Sequence, residues 1–247
     1  EEQKDVYART LVDLREPRGV FINTLLGMSE ATLWAQSVDL MDAGKLPAGI
    51  GYEELYRIVR SSIDESHMEG ALKQEIAADP DRFVELDPEL ASALLDLKNA
   101  GKQLLLVTNS EWSYTRDMMS YAFDRFMPSG KTWRDLFEIA IVSARKPVFF
   151  AAEHALFEVV DREGLLRPYG GRMQPGHVYL GGDARRVERD LGLKPEEILF
   201  IGDHVYADVH VSKDMLRWRT ALVLRDLEAE ITAMTCFAAK QREVAQA

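Results

Sequence analysis

The sequence predicts an α/β fold: a parallel sheet with helices on both faces, joined to a mostly helical N-terminal region. Three observations carry this reading. Apolar runs of strand length alternate with segments of helical periodicity over the second two-thirds of the chain. The first 85 or so residues show helical spacing without such runs. Polar clusters follow directly on three of the runs, where ligands gather in open parallel sheets.

Ser29 can cap a helix on which Ala31, Trp34, Ala35, Val38 and Met41 recur at helical spacing, with Gly44 past its end. "LPAGIG" (46–51) is a loop, and a second helix follows with Leu55, Ile58, Val59 and Ile63 as its buried stripe. "AADPDRF" (77–83) marks a turn-rich boundary. Asp87 can cap a helix running through Leu97 and ending near Gly101. "QLLLV" (103–107) reads as a buried strand, followed by a helix from about Ser113 to Phe123. "IAIVSA" (139–144), "ILFIG" (198–202) and "TALVL" (220–224) are further strands. A polar helix, 226–247, closes the chain. The expected organisation is a helical region over 1–85, an α/β core over 86–232 and a helical tail over 233–247.

Composition narrows the function classes. Nearly half the residues (47%) are apolar, enough for a real core. Forty-one acidic against 30 basic residues give a net charge of −11, which argues against a nucleic-acid partner. A small anion remains compatible, because a metal and a few lysines can reverse the field inside a cleft. Cys236 is the only cysteine, so no intrachain disulfide forms. No run approaches the roughly 18–20 apolar residues that span a bilayer. The expectation is therefore a soluble, cytoplasmic protein with no membrane partner. The chain opens "EEQKDVY", without Met, and reads as an excerpt.

The chemistry lies after the strands. "QLLLV" is followed by Thr108-Asn109-Ser110, "IAIVSA" by Arg145-Lys146-Pro147, and "ILFIG" by Asp203 and Asp208. Hydroxyl and amide donors with a lysine suit phosphate oxygens, and carboxylates suit a hard divalent cation such as Mg²⁺. Each piece alone has a plainer reading. Thr-Asn-Ser is ordinary turn chemistry, Arg-Lys a solvated end, and the aspartates helix caps. A transition-metal site on His204 and His210 is conceivable, but their spacing fits no standard zinc pattern. It is the joint occurrence, in order and each at a strand end, that favours a site.

The order T-N-S, R-K-P, I-G-D-x-x-x-x-D resembles motifs two, three and four of the haloacid dehalogenase-like (HAD) phosphohydrolases. The blocks "FINTLLGMSEATLWAQSVDL", "LLLVTNSEWSYTRDMMSYAF", "ARKPVFF", "HVYLGG" and "ILFIGDHVYADVHVSKDMLRWRTALVL" are similar to the cytosolic purine 5′-nucleotidase branch, from about residue 20 to 230. The resemblance implies a HAD-like Rossmannoid core with a cap-side helical region. Thr108 would then hydrogen-bond phosphoryl oxygens, aided by Asn109 and Ser110, and Lys146 would neutralise charge there. Asp203 would ligate Mg²⁺, and Asp208 would orient the lysine or the waters of the metal. His204 and His210 become bystanders.

The stretch "VRSSIDESHMEGALKQE" (59–75) resembles the family's substrate segment and places Arg60, Asp64, His67 and Lys73 at the nucleotide. From spacing alone Arg60, Asp64 and His67 form a polar stripe, whose plainer reading is an exposed ion pair. The implied activity is Mg²⁺-dependent hydrolysis of purine nucleoside monophosphates through an aspartyl-phosphate, in a protein free to form homo-oligomers. The alternatives are a non-catalytic nucleotide-binding or regulatory relative, and a HAD phosphatase for another small phosphate ester.

One departure stands out. The family's first motif, D-x-D-x-T, which carries the nucleophile, does not occur in the chain; "DPD" (79–81) has the spacing but lies in a proline turn, and residues 1–19 offer no substitute. The expectation is that residues preceding Glu1 supply the missing central strand and both aspartates, and that these 247 residues alone show no covalent phosphoryl transfer.

Overall fold

A computed structural model of the chain describes residues 27–68, 70–224 and 227–246. The start of the "FINTLLGM" block, the opening "EEQKDVY" and the rest of 1–19 lie outside these residues. The described residues form two compact units: those up to Ile63 together with those from Leu224 onward, and Asp64–Val223.

In the first unit, α1 (Met28–Asp42) packs on α2 (Tyr52–Met68). The edge of Trp34 meets Tyr56 at 5.5 Å, the Tyr52 hydroxyl donates to Asp42 at 2.7 Å, and Tyr56 and Arg60 both donate to the buried Glu30. Because α1 begins at Met28, with Gly27 at its cap, Ser29 lies inside the first turn and is not the cap. Among the described side chains of α2, Leu55 and Val59, one turn apart, are buried; Ile58 is exposed, so the apolar stripe is narrower than expected.

The second unit begins with the end of α2 and continues through α3 (Ala71–Ala78), α4 (Pro80–Phe83) and α5 (Pro88–Asn99). Asp87 caps α5 by accepting from the Glu89 and Leu90 N–H groups at 2.9 and 3.2 Å. Then come β1 (Leu105–Val107), α6 (Trp112–Phe123), β2 (Ile139–Val142), α7 (Val148–Ala151), β3 (Leu156–Val159), β4 (Leu166–Pro168), β5 (His177–Gly181), α8 (Ala184–Leu191), β6 (Leu199–Gly202), α9 (Val211–Leu216) and β7 (Arg219–Leu222). A final helix, α10 (Leu227–Gln246), belongs to the first unit and runs unbroken through residue 232.

Five strands form one sheet in the order β1-β2-β5-β3-β4, and β6 pairs with β7 in a second. Strands β1, β2 and β5 are parallel, with Leu106 opposite Ala140 and Ala140 opposite Val178. The wholly parallel sheet expected from the apolar runs is corrected at one edge: β3 pairs antiparallel with β5, and β4 antiparallel with β3. The fold is α/β, with a parallel-rich sheet.

Side chains of β2 alternate between two cores. Ile139 and Ile141 join Phe149, Phe150, Tyr179, Phe200, Leu216 and Trp218 on one face; Ala140 and Val142 join Trp133 and Val178 on the other. Phe150 is central, with its ring 5.1 Å from Phe200 and 6.0 Å from Trp218 in edge contacts. The two sheets thus share one apolar layer although their strands do not pair. Among the described residues β1 and β6 each keep an unpaired edge, and Leu199 and Ile201 on β6 are 56% and 57% exposed.

Candidate functional site

The carboxyl ends of β1, β2 and β6 carry the polar residues. After β1 the chain turns through Thr108, Asn109 and Ser110. The Ser110 N–H donates to Thr108 Oγ1 at 3.1 Å, and the Ser143 and Ala144 N–H groups donate to the Ser110 and Thr108 carbonyls at 2.9 and 3.0 Å. The two loops are therefore stitched together by backbone. Thr108 keeps its hydroxyl proton for another acceptor, since its oxygen serves here as acceptor only.

Asn109 makes the closest link between the loops. Its Nδ2 donates to the Lys146 carbonyl at 3.0 Å, and its Oδ1 accepts from the Lys146 N–H at 2.6 Å. Both ends of the amide are engaged by one backbone unit, so Asn109 positions Lys146 in this structure. On the far side, Phe149 and Phe150 of α7 are buried in the core, which anchors the segment that follows Lys146.

The Lys146 side chain meets β6. Its Nζ lies 2.9 Å from Asp208 Oδ1 and 5.4 Å from the centre of the Phe200 ring, with side-chain exposures of 15% for Lys146 and 4% for Asp208. Residues 205–210 wind as a π-helix, the wide turn that recurs at functional sites, and this turns Asp208 back over the strand end. Asp208 Oδ2 accepts from the His204 N–H at 3.3 Å. Gly202 makes room for the carboxylate: a Cβ there would stand 2.5 Å from Asp208 Cβ and Oδ2. Ser212, fully buried, donates to the Asp208 carbonyl.

Asp203 stands beside this pair, exposed and with no hydrogen bond or ion pair among the described residues. No three His, Cys, Asp or Glu side chains gather as metal ligands among the described residues. A hard cation that keeps several waters and takes one or two carboxylates needs no such group, and a free carboxylate beside phosphate donors suits it. The two histidines have other contacts: His204 Nδ1 accepts from the Ala207 N–H at 3.0 Å, and the His210 ring stacks on Tyr206.

The segment before the core contributes one nearby residue. Lys73 on α3 pairs with Glu111, directly after Ser110, and lies 5.2 Å from the Tyr114 ring. Glu111 and Tyr114 escaped the sequence reading, though both stand in the first turn after Thr-Asn-Ser. Burial, and then the Glu111 charge, push the Tyr114 hydroxyl above its ordinary pKa. Arg60 is half exposed and holds Glu30 at 2.7 Å in the first unit. Asp64 is exposed on the same helix, and the side chain of His67 lies outside the described residues.

Comparison with known proteins adds two findings. The sequence profile described as "5′ nucleotidase family" matches residues 1–247. The human protein "5′-nucleotidase domain-containing protein 2" is 33% identical over 180 residues, which are 72% of this chain and 33% of that protein. The match thus spans about a third of the length of that curated relative. Among the described residues no helix is long and apolar enough to cross a membrane.

Proposed function

Since this chain belongs to the 5′ nucleotidase family, we propose that it serves a Mg²⁺-dependent phosphohydrolase of HAD-like fold, acting on nucleoside monophosphates and preferring purines. The observation that supports this most is the Lys146–Asp208 pair, held at 2.9 Å beside the Thr108 turn and the free Asp203 carboxylate. A phosphoryl group at these strand ends meets an ammonium and the hydroxyls of Thr108 and Ser110, which stabilise its negative oxygens more as charge builds on them. Asp208 keeps the ammonium aimed, and Asn109 fixes the backbone from which it extends. Asp203 would hold Mg²⁺, which when bound supplies further positive charge at the phosphoryl oxygens.

In this reading the reaction passes through an aspartyl-phosphate. A carboxylate attacks phosphorus, the ester P–O bond breaks, the nucleoside leaves with a proton, and water then cleaves the acyl phosphate. Asp208 is unsuited to attack, because both its oxygens are engaged and it is buried. Lys73, beside Glu111 and Tyr114, would meet the nucleotide, with Asp64 and His67 as further contacts.

The test is phosphate release from the five common nucleoside monophosphates by the full-length protein with Mg²⁺. The expected result is release from purine substrates, falling about 10²-fold or more in Lys146→Gln. Equal rates in that variant would remove Lys146 from the site. The absence of D-x-D-x-T from these 247 residues favours a second reading, a nucleotide-binding relative without turnover. Saturable nucleotide binding with no phosphate release would establish that one instead.

A further inference from the structure

A cavity of about 690 Å³ in the second unit is not lined by Thr108, Asn109, Ser110, Lys146, Asp203 or Asp208. It includes the start of β5 and the turn after β3. Antiparallel pairing brings these to the same end of the sheet, whereas Thr108 and Lys146 follow the opposite, carboxyl ends of β1 and β2. Its size is that of a small-molecule pocket.

Its walls combine flat apolar surface with unpaired positive charge. The Trp112 and Trp133 rings stand 6.3 Å apart, and the Arg134 guanidinium lies 5.6 Å from the first and 5.3 Å from the second. Arg134 is partly buried, yet its one hydrogen bond is from Nη2 to the Gly176 carbonyl at 2.7 Å, and no carboxylate lies within ion-pair distance among the described residues. Burial accordingly pushes its pKa down with nothing to offset it. Arg162, at the rim, is exposed and also has no ion pair among the described residues. Its backbone is fixed: Trp112 Nε1 and Arg116 Nη1 converge on its carbonyl at 3.0 and 2.7 Å.

The acids in the same walls face internal donors. Glu158 accepts from Arg167 and contacts His177 Nδ1 at 2.7 Å. Asp161 accepts the Gly164 and Leu165 N–H groups at 2.8 Å each, and Asp124 the Trp133 N–H at 2.7 Å. Each of these carboxylates thus accepts hydrogen bonds from within the chain, although Asp161 stays exposed, while the Arg134 and Arg162 guanidinium groups at the cavity wall keep N–H donors without a partner among the described residues. Such forks match phosphate oxygens, and an indole face accepts a flat ring.

We propose that this cleft is a second ligand site, taking a phosphorylated small molecule with a flat apolar body: the phosphate on Arg134 and Arg162, the ring against Trp112. The test uses phenyl phosphate as probe and tryptophan fluorescence as readout, with phenol and inorganic phosphate as single-feature controls. Phenyl phosphate should bind saturably and more tightly than either control. Affinity should fall about tenfold or more in Arg162→Ala, whose exposed side chain leaves folding intact, and in Arg134→Gln. It should be unchanged in Lys146→Gln, which separates this site from the phosphate site at the strand ends. No saturation, or unaltered affinity in both arginine variants, would overturn the proposal, and so would a loss confined to Lys146→Gln.

Discussion

Lys146 Nζ lies 2.9 Å from Asp208 Oδ1, and this one contact joins the ends of strands in two different sheets. Lys146 follows β2 of the five-stranded sheet; Asp208 follows β6 of the two-stranded one. No ladder of backbone hydrogen bonds connects these sheets among the described residues. The apolar layer around Phe150 and Phe200 presses them together, and the ion pair links them at the carboxyl ends of β2 and β6.

Removing one member of the pair should therefore cost more than removing both. Lys146→Met leaves the Asp208 carboxylate buried and uncompensated, at about 3 kcal/mol, the low end for such losses because the lysine is partly exposed. Adding Asp208→Leu to that variant should recover much of the stability. Urea denaturation of the single and double variants measures both, and a single variant as stable as the parent would contradict it.

Gly202→Ala should act on the same carboxylate from below. The new Cβ would meet Asp208 Oδ2 and Cβ at 2.5 Å, so the strand end or the π-turn must shift. We expect a loss of about 1–3 kcal/mol, as for an overpacked core, and weaker binding of inorganic phosphate at Lys146. Calorimetry with phosphate checks the second part. Intact affinity in a destabilised variant would show that Asp208 does not aim the lysine.

Asp203→Asn tests the metal without disturbing the fold. The side chain is exposed and unpartnered among the described residues, so stability should stay within about 0.5 kcal/mol of the parent. Magnesium affinity, read by calorimetry, should fall steeply because a neutral amide is a poor replacement for a carboxylate on a hard cation. Unchanged affinity would place the ion elsewhere.

The parts of this fold that could be read from sequence are those where pattern and burial coincide. The strands at Leu105–Val107, Ile139–Val142 and Leu199–Gly202 are apolar runs, Arg219–Leu222 overlaps the run at 220–224, and the polar turns after the first three mark the strand ends directly. Strand β3 is hard to read because Glu158 interrupts its apolar character, and β5 because it opens on His177 and ends on glycine; the two polar side chains satisfy each other across the sheet. Strand β4 is exposed and ends on Pro168, a residue an edge tolerates but a pattern search rejects. The Lys146–Asp208 contact links residues 62 positions apart through a π-turn, and local periodicity carries no trace of such a turn. The second cleft was illegible for a similar reason, since Trp112, Trp133 and Arg162 come from three separated segments.

Glu158 should make the second unit acid-sensitive within a definite window. Hydrogen bonds from Arg167, and then His177, hold its carboxyl below the ordinary glutamate pKa. A carboxyl whose folded pKa is lowered stabilises the fold above its unfolded pKa, about 4.3, and loses that contribution as pH falls through the folded value. Glu158→Gln removes the charge and keeps the shape. The parent should therefore exceed the variant in stability by a constant margin above about pH 5, with the margin shrinking toward zero on further acidification. Chemical denaturation from pH 7 to pH 3 would follow it. A margin that stays constant across this range, or grows as the pH drops, would mean that the buried Glu158 charge does not stabilise the sheet.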